Sequence, residues 1–308
     1  MFDRRQVIAG GGAVALAACS RSGSPVTGRI VAAGPPAAIL IWTVARDKLA
    51  GWPRKPSPKV LAMLGAGADL PEIGAVSQSG GRAANLEAIA ALKPELIVDY
   101  GDVTPQFREI AERTEAKLGV PYRLVDGQLE ASASAFAHVA KLIGAPRGIE
   151  LANAVRPLLR QWRALPGGPS FYYARGIDGL ETGFAGSLAT GVLEGAHWTN
   201  VATGGESLKR VSREAVAAWD PEVIVTLDRK FAESAASDPF WRQRRGGAKR
   251  RLLLLPDLPF GWIDRPPSVN RLVGCAWLVG GDARADATAH ALYGAQARLG
   301  MAKAQWIP

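Results

Sequence analysis

Glu87-Ala88-Ile89-Ala90-Ala91-Leu92-Lys93-Pro94-Glu95-Leu96-Ile97-Val98 returns 127 residues later as Glu214-Ala215-Val216-Ala217-Ala218-Trp219-Asp220-Pro221-Glu222-Val223-Ile224-Val225, identical at eight of twelve positions. Each copy reads as the last turns of a helix, a proline that ends it, and a short β-branched apolar run. A helix feeding a buried strand is the unit of a parallel α/β sheet. One such unit in each half of the chain means two related lobes. The period is far too long for a stacked solenoid.

Between the copies lies Pro146 to Leu165. Leu151, Val155, Leu158, Trp162 and Leu165 recur at alternating spacings of four and three, which places them on one helical face. Pro146 suits a first helical turn, where its missing N–H has no intrahelical acceptor. Glu150 near the start and Arg156, Arg160 and Arg163 toward the end follow the helix dipole. This stretch is expected to be the helix that joins the lobes, kinked at Pro157.

The fold class expected is therefore α/β: two Rossmann-like lobes with parallel sheets, joined by one long helix. The boundaries read as an export signal at 1–19, a tether at 20–28, a first lobe at 29–145, the connecting helix at 146–166 and a second lobe at 167–308. The first lobe is expected to open on the strand Arg29-Ile30-Val31-Ala32-Ala33. Two final helices are expected at 267–279 and 285–299.

With 308 residues and 48% hydrophobic composition, two ordinary cores can form without disulfides. The formal charge is +9. Part of it sits in the run Arg242, Arg244, Arg245, Lys249, Arg250, Arg251, which is expected to be a solvated loop before a strand. No aromatic interleaving beyond Trp241 and no nucleic-acid motif accompanies it, so nucleic acid is not an expected partner. The general surplus favours an anionic ligand or membrane surface.

The N-terminus reads as a targeting segment. Arg4-Arg5 precede a short apolar, glycine-rich run, and Leu16-Ala17-Ala18-Cys19 resembles a bacterial lipobox. Cys19 is then the lipidation site, and export runs through the twin-arginine or the general secretory route. The expected location is the periplasm, with a lipid anchor in the membrane.

Catalytic signatures are missing: no nucleophile elbow and no phosphate loop. His138, His197 and His290 are scattered, and no protein-built metal site or resident cofactor is expected. In parallel α/β sheets ligands collect at the carboxyl ends of strands. Those ends hold Tyr100, Tyr173, Arg175, Trp262 and Arg265, whose rings and guanidinium groups suit a flat or anionic ligand.

The chain resembles the ABC-transporter substrate-binding proteins for iron–siderophores, cobalamin, haem and related metal chelates. The resemblance rests on Arg29-Ile30-Val31, Leu70-Pro71-Glu72-Ile73-Gly74 and Asn85-Leu86-Glu87-Ala88-Ile89 through Ile97. In the second half it rests on Thr199-Asn200-Val201-Ala202, Gly204-Gly205-Glu206, Val211-Ser212-Arg213-Glu214 and Pro266-Pro267-Ser268-Val269-Asn270-Arg271-Leu272. It implies that the connecting helix is rigid and that ligand is held in a cleft between the lobes of a monomeric, non-enzymatic binding lipoprotein, which captures a metal chelate, foremost a ferric siderophore, and delivers it to an inner-membrane permease. Any metal would arrive within the ligand. It also implies that Glu72 and Glu206, one on each lobe, dock onto the permease. Two departures stand out: Gly34-Pro35-Pro36-Ala37-Ala38-Ile39 replaces a serine-rich opening with an early glutamate, and Pro157 interrupts the connector. Haem, cobalamin and molybdate or tungstate are the competing ligands; an exported Rossmann-like enzyme and a structural envelope protein are the competing classes.

Overall fold

The computed structural model describes residues 25–76, 86–300 and 302–308. The expected export signal, Arg4, Arg5, the lipidation residue Cys19 and the first part of the tether lie outside the described residues. Val26, Thr27 and Gly28, at the end of that tether, are hydrogen-bonded to the first lobe. Val26 N–H donates to Leu142 O at 2.9 Å, and the Thr27 and Gly28 amides donate to the Glu95 carboxylate.

The first lobe opens with β1 (Ile30–Ala32), three buried residues that lead into α1 (Pro35–Ala45). Both prolines occupy the first turn of α1, where a missing N–H costs nothing. Every residue from Ala37 to Ala45 is buried, so α1 is a core helix. Next come α2 (Pro58–Leu64), capped by Ser57, and α3 (Leu86–Ala91). β2 (Leu96–Gly101), α4 (Pro105–Leu118), β3 (Tyr122–Asp126) and α5 (Ser132–Ile143) complete the lobe. The sheet has the order β1-β2-β3 and is parallel throughout.

The connector α6 spans Pro146–Arg163. Leu151, Val155, Leu158 and Trp162 are buried as the spacing required, and Leu165 packs partly buried beside them. Pro157 lies inside the helix, on its exposed side. Asn153, whose carbonyl loses its donor there, is exposed as well, so water can satisfy it.

The second lobe runs β4 (Ser170–Ala174), β5 (Glu181–Gly183), α7 (Gly191–Glu194), β6 (Thr199–Asn200), β7 (Leu208–Arg210) and α8 (Arg213–Trp219). It continues with β8 (Val223–Thr226), α9 (Arg229–Ser237), α10 (Pro239–Arg242), β9 (Arg251–Leu254), α11 (Arg271–Tyr293) and β10 (Gln305–Ile307). The main sheet has the order β10-β9-β8-β4-β6. Its strands are parallel except β10, which joins β9 antiparallel at the edge. β5 and β7 form a separate antiparallel ribbon.

The sequence repeat is a structural repeat. α3 leads into β2 and α8 into β8; Ile89 and Val216, at the same place in each copy, are both fully buried. Lys93 and Asp220, also equivalent, both take left-handed backbone, with φ of 50° and 47°. Each helix therefore ends in the same αL turn before the proline. Both strands are interior to their sheets.

Two expectations are corrected. The two final helices are present and meet at Gly280 and Gly281, where the backbone is not helical, but together they run from Arg271 to Tyr293 rather than from 267 to 299. Gly281 has φ 71° and ψ −167°, a conformation essentially restricted to glycine. Arg250 is not solvated: it is 2% exposed and donates to Pro221 O, Phe240 O and the Asp220 carboxylate.

One hydrophobic cluster extends without a break from β1 and α1 through α5 and α6 to β4, β8 and α11. The lobes thus share a core, and α6 is at its centre. Trp162, wholly buried, donates from Nε1 to Val192 O in the second lobe at 2.9 Å.

Candidate functional site: the cleft between the lobes

The carboxyl end of β4 delivers Tyr173 and Arg175 to a buried carboxylate. Tyr173 Oη donates to Asp264 Oδ2 at 3.1 Å, and Arg175 Nε pairs with the same oxygen at 3.0 Å. Arg175 Nη1 also pairs with Glu181 at 3.3 Å. Burial, reinforced by Asp264, pushes the Tyr173 hydroxyl well above its ordinary pKa. Burial is the largest single influence and works against the Arg175 charge, but Asp264, Tyr173 and Glu181 together outweigh it, and the guanidinium is held more firmly protonated than usual. Arg265, at φ 65°, pairs with Asp228 at 3.6 Å.

The five expected ligand residues therefore sit as follows. Tyr100, Tyr173 and Trp262 are 1%, 0% and 3% exposed, so their rings present almost no surface in this conformation. Trp262 packs at 6.4 Å from the Trp277 ring. Tyr100 Oη is buried without a partner among the described residues. Arg175 and Arg265 are both engaged by carboxylates, and Arg265 is the more exposed of the two. Glu72 and Glu206, the expected docking residues, are both exposed. Glu72 accepts from the Lys55 amide at 3.1 Å.

In the first lobe, Asp99 accepts from Tyr122 Oη and from the Tyr100 amide, each at 2.9 Å. Burial raises its pKa, and those two hydrogen bonds offset only part of the rise. Burial also raises Asp102; Arg271 opposes the shift and Asp126 adds to it.

Direct joints between the lobes come from the stretch Ser268 to Arg271. Ser268 Oγ donates to Pro36 O at 2.6 Å, just inside α1. Arg271 is fully buried and donates to Ser268 O, to Leu188 O and, across the boundary, to Gly127 O beyond β3. The sequence reading used this stretch only for family likeness. Its signal was present all the same: an arginine beside Leu272 and Val273 on a buried helix must find acceptors.

Beside these joints a cleft of about 540 Å³ opens. Lys59 and Met63 of α2 form its first-lobe side, and Arg229 and Asp257, after β8 and β9, form its second-lobe side. Arg298 and Lys303, from the segments between α11 and β10, complete it. Such a volume fits small-molecule sites in general. None of the five ligand residues expected from the sequence lines this cleft. Among the described residues, no group of three or more His, Cys, Asp or Glu could hold a metal ion, and no helix is long and apolar enough to cross a membrane.

No protein-family model matches the sequence, and no curated protein matches it. Solved structures do. An ABC transporter solute-binding protein from Sulfurospirillum deleyianum superposes with a TM-score of 0.72 at 24% identity, covering 91% of this chain and 92% of that one. The molybdate periplasmic binding protein MolA of Haemophilus influenzae superposes at 0.64 with 19% identity, covering 88% and 94%. The periplasmic heme-binding protein RhuT from Roseiflexus sp. RS-1 superposes at 0.56 with 23% identity, covering 87% and 98%. The chain has the fold of periplasmic ABC solute-binding proteins over nearly all its described length.

Proposed function

We propose that this chain is the solute-binding subunit of an ABC importer, working in the periplasm, and that its solute is a metal chelate, foremost a ferric siderophore. The observation that carries the reading is the cleft of about 540 Å³, which opens between two α/β lobes joined by a single helix. Solved neighbours with this fold bind haem and molybdate by their own descriptions, so the architecture accommodates metal-bearing solutes of very different size. In this proposal the chain performs no covalent step. It captures the solute, docks through Glu72 and Glu206, and releases. Cys19 would tether it near its permease and raise its local concentration there. Arg265, partly exposed and paired with Asp228, the chain neighbour of the cleft residue Arg229, would be the first of the expected ligand residues to meet solute.

The test is a ligand panel on the purified protein: ferric siderophores, haem, cobalamin, molybdate and tungstate. Tryptophan fluorescence and melting temperature are followed together. A ligand at one hundred times its Kd stabilises the fold by about 2.7 kcal/mol, which is readily seen as a rise in melting temperature. A saturable response to one ferric siderophore supports the reading. A response only to haem, cobalamin or an oxyanion reassigns the solute, and a folded protein that answers none of them removes the metal-chelate proposal.

A further inference from the structure

Two groups of cations on this protein contrast. Arg175, Arg210, Arg213, Arg244, Arg250 and Arg265 all face carboxylates within 4 Å. Lys59, Arg229, Arg298 and Lys303 line the cleft, and among the described residues none of them is in an ion pair, although Asp257 shares their cavity. Four cations against one carboxylate, gathered around one concave space, repel one another in the empty protein. That cost is offset only by a ligand that brings negative charge.

The lining is not purely polar. Leu227 and Leu254 supply apolar surface, together with Met63 on the other side. At roughly 30 Å³ per water, the cleft would hold on the order of 18 waters. A four-oxygen ion would leave most of that space wet. An organic framework bearing several carboxylates or catecholates would fill it and reach all four cations, with the two arginines able to grip oxygens in pairs.

Two of the four cations come from the chain's last stretch. Arg298 N–H donates to Met63 O of α2 at 2.6 Å, and Gln296 reaches Leu64 O at 3.4 Å. A few residues later Gln305 pairs with Leu254 as β10 joins β9. The C-terminal stretch is thus attached to the first lobe at one end and to the second-lobe sheet at the other, with Arg298 and Lys303 facing the space between.

We infer that this cleft is built for a polyanionic organic ligand, and that the C-terminal stretch is part of the binding site through Arg298 and Lys303. The inference rests on the solute-binding reading above and sharpens it. A neutral chelate would leave the four cations unmet, whereas an anionic one would neutralise them.

The experiment compares three probes by calorimetric titration at low and high salt: an anionic ferric tris-catecholate, a neutral ferric tris-hydroxamate, and citrate alone. It is run on the unaltered protein, on Arg298→Glu with Lys303→Glu, and on Lys59→Ala with Arg229→Ala. All four replaced residues are exposed, so the variants are expected to melt close to the unaltered protein, and this is checked first. The expected result is preference for the anionic chelate, weakening with salt, and a loss on the order of tenfold for each cation removed. Equal binding of the neutral chelate, unmoved by either pair of substitutions, overturns the inference and leaves the importer reading intact. Binding of citrate but of neither chelate, with the same dependence on the four cations, keeps the polyanion site and removes the metal chelate. No binding of any probe by the folded protein overturns the inference, and the wider ligand panel then decides the importer reading.

Discussion

Arg271, buried in the second lobe, donates a hydrogen bond to the backbone carbonyl of Gly127 in the first, 144 residues away in the chain. The same guanidinium holds Leu188 O at 2.9 Å and Ser268 O at 3.0 Å. A single side chain thus donates to three carbonyls, of which Ser268 O also accepts from the Arg271 amide. Arg271→Met should lower stability by about 3 kcal/mol, because methionine fills similar space and donates nothing. In a chain of this size that is a fall in melting temperature of roughly 5 °C. Differential scanning calorimetry checks it, and a shift below about 2 °C would mean that the joint contributes little.

Arg175 and Arg265 should behave differently when replaced. Arg175 pairs with Asp264, which is 1% exposed, while Arg265 pairs with a partly exposed Asp228 at the longer distance of 3.6 Å. Removing Arg175 strands a buried carboxylate and should cost about 3 kcal/mol. Removing Arg265 breaks a solvent-screened pair and should cost less than about 1 kcal/mol. Urea denaturation of Arg175→Met and Arg265→Met measures both; equal costs would show that Asp264 does not depend on its arginine.

Asp99 gives the fold a pH dependence of definite sign. Burial raises its folded pKa above the ordinary value of 3.8. A raised carboxyl pKa favours the protonated folded state, so this group's contribution is greatest below 3.8 and declines as pH rises through the folded value. Asp99→Asn keeps an acceptor for Tyr122 and Tyr100 without the charge. It should leave stability unchanged or slightly higher at pH 7, and flatten the part of the pH profile above 3.8. Melting temperature against pH for the two proteins checks this, and parallel profiles would rule Asp99 out as the source.

Glu72 and Glu206 are exposed on different lobes, so reversing their charge should leave the fold and the cleft untouched. Glu72→Arg with Glu206→Arg is expected to bind solute with unchanged affinity and to lose most stimulation of permease ATPase activity in reconstituted vesicles. Retained stimulation would place the docking contacts elsewhere.

Elements set by local pattern were legible in the sequence. The repeat foretold two helix–strand units, and the alternation along α6 foretold its buried face, because both are consequences of period. Features made by distant partners were not. The positions of Arg175 and Arg265 at strand ends could be read, but the carboxylates that engage them lie in other segments, at Asp264 and Asp228. The four cleft cations come from separate parts of the chain, at 59, 229, 298 and 303, with no motif linking them. β10 spans only Gln305–Ile307 and no hairpin signal precedes it, so its antiparallel edge position depended on tertiary context.

Both described ends of the chain lie away from the lobe joint. Pro25 precedes residues fastened to Glu95, just before β2 begins, while the contacts with Ser268 and Arg271 are made beyond the other ends of β1 and β3. In the second lobe, Ile307 pairs with Leu252 near the start of β9, so Pro308 lies toward the end of that strand away from Leu254 and Gln305, which line the cleft. A fluorescent donor at Pro25 and an acceptor at Pro308 would ride one on each lobe. The pair would form an optical reporter, in which any change in lobe spacing on binding becomes a change in energy transfer.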